Sequence, residues 1–358
     1  APAAEAQRAT PEGATGREAK PLVTAAEHLI VAANPHASEA GRAALRAGGS
    51  AADAAIAALL VLNVVEPQSS GLGGGAFAVV NGPEALTTFD ARETAPFAAT
   101  PELFYRDGEP MGWVEAVPTG RSVGVPGLAR LLGVLHERHG RLPWADLVAP
   151  ALRLAREGFP VSPRLAGLLE RYGDWLAGTD AAAVFLPGGE PLREGELFRQ
   201  PRLARTLAIL AENGPDAFYS YPLAAEIVAA TRRGDVPGAL TMTDLMAYEV
   251  VERAPVCVTF REVWRVCGMG PPSSGATTVG QILGLLDRFP PAETPARAAH
   301  LMAEASRLAY ADRALYLADP DRVDVPVAGL LDPAYLAGRA TLIDPDRAAE
   351  GQAEAGDP

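Results

Sequence analysis

The chain has 358 residues, enough for one large domain or two ordinary ones with a substantial core. It is rich in Ala, Gly and Pro and carries a formal charge of -13, with its basic residues scattered, which excludes the electrostatic footprint of a nucleic-acid binder and of a protein drawn to an anionic membrane. The longest apolar run, about 54–62, is far short of the roughly 20 residues that span a bilayer, so no transmembrane helix is expected.

The first residue is Ala1, with no initiator Met and no basic-then-apolar leader, which reads as a processed mature chain or a trimmed one. Residues 1–21 show no periodic order and are expected to form a mobile tail. Residues 37–65 read as two helices: Ser38 caps the first, and Gly48-Gly-Ser50 separates it from a second over 51–64. That second helix is apolar almost all round, the pattern of a helix buried on most faces. Glycines 71, 73, 74 and 75 then make a loop, and two short strands at 76–80 and 86–90 flank an Asn81-Gly-Pro83 turn, a hairpin signal.

Helical spacing returns at 126–139 and 144–157, broken by Gly140-Arg-Leu-Pro143, and again at 165–176, 200–213, 222–231 and, briefly, 243–248. A second hairpin is expected from 256–260 and 263–267, followed by a turn-rich loop over 268–275 and helices at 278–288 and 296–317. Beyond Ile343 the chain is polar and aperiodic, an exposed end. The order is helix-rich with few strands, no regular strand-helix alternation and no internal repeat. So few strands in so long a chain suggests that part of the sheet comes from elsewhere.

Cys257 and Cys267, the only cysteines, match no zinc spacing. The favoured reading is two small core hydrophobes; the alternative is a cross-strand disulfide in an oxidising compartment, because they flank the second hairpin. Gly71-Leu-Gly73-Gly-Gly-Ala76 has the form of a dinucleotide fingerprint but lies between a helix and a strand, so no helix N-terminus is expected to face the loop. His136-Glu-Arg-His139 spaces its histidines three apart, where a zincin needs four, and reads as a solvated helix end. None of the five histidines accompanies a G-x-S-x-G elbow. Arg92 differs in kind: it sits at a strand end between Asp90 and Glu93, beside the glycine loop. A guanidinium fixed by one carboxylate can present its remaining donors as a fork to another, although the same residues also suit a structural salt bridge.

Several stretches in order carry a resemblance: Gly49-Ser-Ala-Ala-Asp-Ala-Ala55, the loop 71–77, Asp90-Ala-Arg-Glu-Thr-Ala-Pro96, Val125-Pro-Gly127, Leu142-Pro-Trp144, Glu157-Gly-Phe-Pro160, Glu212-Asn-Gly-Pro-Asp-Ala-Phe-Tyr219, Pro271-Pro-Ser-Ser-Gly275, Ala309-Tyr-Ala-Asp-Arg313 and Asp319-Pro320. Together they resemble the large subunit of the γ-glutamyltransferase family over all but the extreme N-terminus and the tail after Ile343.

The resemblance implies an α+β fold, the αββα sandwich of N-terminal nucleophile hydrolases, assembled from a large and a small subunit cut from one precursor. Residues 22–343 would be the large-subunit part of that single domain, and 344–358 an exposed tail ending at the processing site, at Gly356-Asp-Pro358. The family nucleophile is the Thr that the cut exposes at the start of the small subunit, so no catalytic residue is expected in this chain; Thr277 and Thr278 are read as the start of a helix. The implied substrates are γ-glutamyl amides such as glutathione, and no cofactor or metal is implied. By match to the family motif, Arg92 holds the substrate α-carboxylate. Asp90 and Glu93 are candidate supports for it, and Gly73, Gly74 and Gly75 candidate points of close backbone approach.

Related cephalosporin or glutaryl acylases and poly-γ-glutamate-cutting enzymes remain alternatives, as does, from a different class, a solute-binding protein for acidic amino acids that folds and binds glutamate alone. The family's habit of export implies a periplasmic or secreted location.

Overall fold

The computed structural model describes residues 22–358, so the expected tail at 1–21 lies outside the described residues. These form two compact units: one of residues 22–75 and 93–249, the other of Ala76–Arg92 and Val250–Pro358.

The first unit is helical. Helix α1, Pro35–Arg46, begins two residues earlier than expected, because Asn34 and not Ser38 is its cap: the Asn34 side chain accepts the His36 N–H, and Pro35 supplies a preset φ at the first helical position. Gly48, at φ +86°, reverses the chain. Ser50 and Asp53 then form a reciprocal capping box for α2, Ala51–Val65. Ile56, Leu60, Val61 and Val64 of α2 are fully buried, each contributing roughly 1.5–3 kcal/mol. Around α2 pack α1, α3 (Leu128–His139) and α4 (Trp144–Glu157).

Asp53 does more than cap. Its Oδ2 also accepts the N–H groups of Arg141 (2.9 Å) and Leu142 (3.3 Å), fastening the α3–α4 break to the start of α2. Two stretches that sequence reading treats separately, 49–55 and 142–144, are thereby one feature. Helices α5 (Pro163–Tyr172), α6 (Pro201–Asn213), α7 (Leu223–Thr231) and α8 (Met242–Ala247) complete the unit, with α6 against α4.

The second unit holds the three-stranded sheet, the first carrying only two pairs of two-residue strands. Strands β1 (Ala76–Asn81) and β2 (Leu86–Ala91) pair antiparallel, Ala76 opposite Ala91. A short third strand, β3 (Val251–Arg253), joins β2 with Asp90 opposite Val251 and Thr88 opposite Arg253, giving the order β1-β2-β3. Sequence reading does not find β3; three residues are too few to show alternation. Strands β4 (Val256–Phe260) and β5 (Trp264–Gly268) form the expected hairpin.

The favoured reading of the cysteines is overturned. Cys257 and Cys267 stand directly opposite in that hairpin and are joined as a disulfide. Neither is in the core: both are half-buried, so their chemistry and not their apolarity decides the pairing.

Helices α9 (Gly275–Leu286), α10 (Pro295–Tyr316) and α11 (Pro333–Ala340) cluster around Leu285, Leu301, Leu308, Leu336 and Ile343. Thr277 and Thr278 lie buried in the first turn of α9. Residues 344–358 carry no helix or strand and are mostly exposed, yet they are tied down by main-chain atoms: Tyr316 donates to the Gly356 carbonyl, Arg339 to that of Glu354, and the Gly356 N–H donates to Asp312.

Candidate functional site

In the second unit, Asp90 is the penultimate residue of β2. Its Oδ1 accepts the N–H of Arg92 at 2.9 Å, a turn in which an Asp side chain holds the backbone two residues on. Its Oδ2 accepts from Arg253 Nε at 2.8 Å, and the Arg253 guanidinium donates through Nη1 (3.0 Å) and Nη2 (2.6 Å) to both oxygens of Asp321. The hydrogen bonds that Arg253 donates to Asp321 raise the Arg253 pKa further above its usual value and hold the Asp321 carboxyl below the usual carboxylate range. The Asp90 side chain is 8% exposed and that of Arg253 17%, so this pair is largely screened from water. Arg92 itself is exposed. The structure therefore joins Asp90 to Arg92 through the Arg92 main chain, and it adds Arg253 and Asp321. Nothing in the sequence pairs residues 163 positions apart; the only signal is Asp319-Pro320, which marks a turn just before Asp321.

In the first unit, the glycine loop is held by its own peptide group. The Gly74 carbonyl accepts the N–H groups of Gly127 and Leu128, both at 3.0 Å, at the N-terminus of α3. A helix N-terminus does face the loop, contrary to expectation, but from a distant helix, and a carbonyl occupies the donors that would meet a phosphate. Glu93 is half-buried over the same loop: a Cβ on Gly74 would lie 3.6 Å from its Oε1 and 3.3 Å from the Gly71 carbonyl, while a Cβ on Gly124 would lie 3.0 Å from the Glu93 Cβ. Thr94 bridges to Val125, continuing this contact along the chain. Gly71 and Gly73 are different. Neither has positive φ, and a Cβ at either would meet nothing within 4 Å. This chain's own packing does not require glycine at those two positions.

His136 accounts for itself structurally: its Nε2 lies 2.8 Å from the Leu142 carbonyl, and its ring meets Trp144 edge-on. Among the described residues no three His, Cys, Asp or Glu side chains gather to hold a metal ion, and no helix is long and apolar enough to cross a membrane.

The family profile described as Gamma-glutamyltranspeptidase matches residues 37–357. The chain belongs to the gamma-glutamyltranspeptidase family. Against the glutathione hydrolase proenzyme of Bacillus subtilis (strain 168) it is 38% identical over 347 residues, covering 95% of this chain and 58% of that protein. The solved structure of Helicobacter pylori gamma-glutamyltranspeptidase superposes with a TM-score of 0.86 at 32% identity, covering 92% of this chain and 95% of that one. The cephalosporin acylase of Bacillus halodurans superposes with a TM-score of 0.78 at 30% identity, covering 92% and 63%. The α+β fold of this chain is thus that of its family, the N-terminal nucleophile hydrolase class expected from sequence. The chain spans about 58% of the length of the Bacillus subtilis relative.

Proposed function

We propose that this chain is the large subunit of a γ-glutamyltransferase that cleaves γ-glutamyl amides such as glutathione. Its obligate partner is a small subunit cut from the same precursor and beginning with the nucleophilic Thr. The Thr hydroxyl attacks the γ-carbonyl, its proton passing to the α-amine of the same residue acting as base. The amine of the leaving group departs protonated, and a γ-glutamyl ester remains on the Thr. Water or an acceptor amine then attacks that ester and releases the enzyme.

The observation that carries the reading is Arg92. It is exposed at the end of β2, its main chain is fixed by Asp90, and it stands inside the Asp90 to Pro96 motif of a chain whose family is known. A γ-glutamyl substrate presents a free α-carboxylate, and a guanidinium meets a carboxylate with two parallel N–H donors. Glu93 supports the neighbouring glycine loop. The open positions at Gly71 and Gly73 suit close approach by the partner chain or the substrate, the role anticipated for Gly73, Gly74 and Gly75. The Cys257–Cys267 disulfide supports an exported protein, since such bonds persist in oxidising compartments.

The test is to express the precursor and follow hydrolysis of a γ-glutamyl anilide. The processed protein turns over and carries a γ-glutamyl adduct on an N-terminal Thr of the second polypeptide, while this chain alone is inactive. A chain that alone folds and binds glutamate contradicts the reading. The likeness to a cephalosporin acylase favours a second reading, in which Arg92 takes the distal carboxylate of a glutaryl side chain. A higher rate on glutaryl-cephalosporin than on the anilide would select it.

A further inference from the structure

Arg92 reaches its carboxylate partner from a main chain that something must hold still. Asp90 is that hold, and Asp90 is itself held. Its two oxygens have separate tasks: Oδ1 takes the Arg92 N–H, and Oδ2 takes Arg253 Nε. A carboxylate with only one partner is free to rotate about its last bond, so Arg253 decides which oxygen faces Arg92. Arg253 is in turn oriented by the paired bonds from its two terminal nitrogens to Asp321, a planar fork-to-fork contact with little rotational freedom. Asp321 is set by a turn, its N–H donating to Asp319 Oδ1 at 2.9 Å. The turn-forming Asp319-Pro320 pair thereby positions the outer end of the series.

Stability alone does not account for this arrangement. The Asp321 side chain is 60% exposed, and ion pairs so exposed stabilise folds little. The β2–β3 pairing has other support, its ladder and the bond from Thr88 Oγ1 to the Arg253 carbonyl at 2.5 Å. What Asp321 does control is direction. A main-chain rotation of about 10° at Arg92 displaces the end of so long a side chain by about 1 Å, and a misplacement of that size can cost as much as about 100-fold in rate.

We propose that Arg253 and Asp321 are positioning residues for the substrate α-carboxylate, acting through Asp90 on the main chain of Arg92. This rests on the reading of Arg92 as the carboxylate clamp.

The experiment uses the assembled, processed enzyme and two donors, a γ-glutamyl anilide and its α-methyl ester, which lacks the carboxylate charge. Asp321→Ala raises KM for the acid about three- to tenfold with kcat within about twofold, leaves kcat/KM for the ester unchanged, and shifts the melting temperature by no more than about 3 °C. Arg253→Lys, which keeps charge but loses the fork, shows the same pattern more strongly, and Asp321→Glu restores the acid KM. Equal losses on acid and ester overturn the proposal, because they mean a general structural role. So does an unchanged acid KM in both variants while Arg92→Lys raises it. If Arg92→Lys leaves the acid KM unchanged, the clamp itself fails, and this inference fails with it through a different measurement.

Discussion

Asp244 Oδ1 accepts the backbone N–H of Phe97 at 2.6 Å, while its Oδ2 accepts the N–H of Thr241 at 2.7 Å. One carboxylate thus caps α8 and pins the chain immediately after the Asp90 to Pro96 motif. Asp244 is buried, 3% exposed, and burial by itself raises its pKa; the hydrogen bonds from Phe97 and Thr241 more than reverse this and hold the carboxyl below its usual value. Its folded pKa is therefore depressed, so its contribution to stability is fully present above the unfolded value of about 3.9 and is lost as pH falls through the folded value. Asp244→Asn is expected to cost about 1–3 kcal/mol at pH 7 and to flatten the acid limb of melting temperature against pH. Parallel curves for variant and wild type between pH 6 and pH 3 would contradict this.

The disulfide closes a short loop, with ten positions separating its cysteines, and loops of that order stabilise by about 2–3 kcal/mol in the chain-entropy account. The double replacement Cys257→Ala with Cys267→Ala is expected to lower stability by about that amount. Native protein should take up no thiol-alkylating reagent until it is reduced. Free thiols in freshly purified native protein would contradict the pairing.

Asp312 and Arg339 form a buried ion pair, with Asp312 at 1% exposure, and both also hold the 344–358 segment by its main chain. Asp312→Ala leaves Arg339 buried without its partner and is expected to cost about 3–5 kcal/mol. It should also free 349–356 for cleavage in limited proteolysis. Replacing the pair together, Asp312→Leu with Arg339→Met, removes the unpaired charge and should recover part of that loss, the Gln281 amide and Tyr335 hydroxyl still losing the oxygen to which they donate, while leaving the segment cleavable. Cleavage as slow as in wild type would show that the segment is held by something else.

Much of this was legible along the chain, and the reason is local. Helix α4 starts and ends where its spacing places it, at Trp144 and Glu157, because Pro143 and Gly158 punctuate it. The β1–β2 hairpin follows from two short β-branched and aromatic stretches on either side of a glycine- and proline-containing turn, which falls at 82–85 with Asn81 paired to Leu86 inside the ladder. The sequence places the start of α1 too late because two capping residues, Asn34 and Ser38, lie one turn apart, and the Pro after Asn34 decides between them. What escaped depends on contacts across long separations. Arg253 meets Asp90, Asp53 meets the 141–142 amides, and the Gly74 carbonyl meets the start of α3. None of these partners carries a local pattern. Of the candidate site, Arg92 was found through a family motif, whereas Arg253 and Asp321 needed the fold.

The role of Arg92 is decided by the KM of the assembled Arg92→Lys enzyme for a γ-glutamyl anilide. Lysine keeps the positive charge and removes the planar fork. A KM at least about tenfold higher is expected, equivalent to roughly 1.4 kcal/mol of lost substrate binding. A KM within about twofold of wild type, less than about 0.5 kcal/mol, would contradict it.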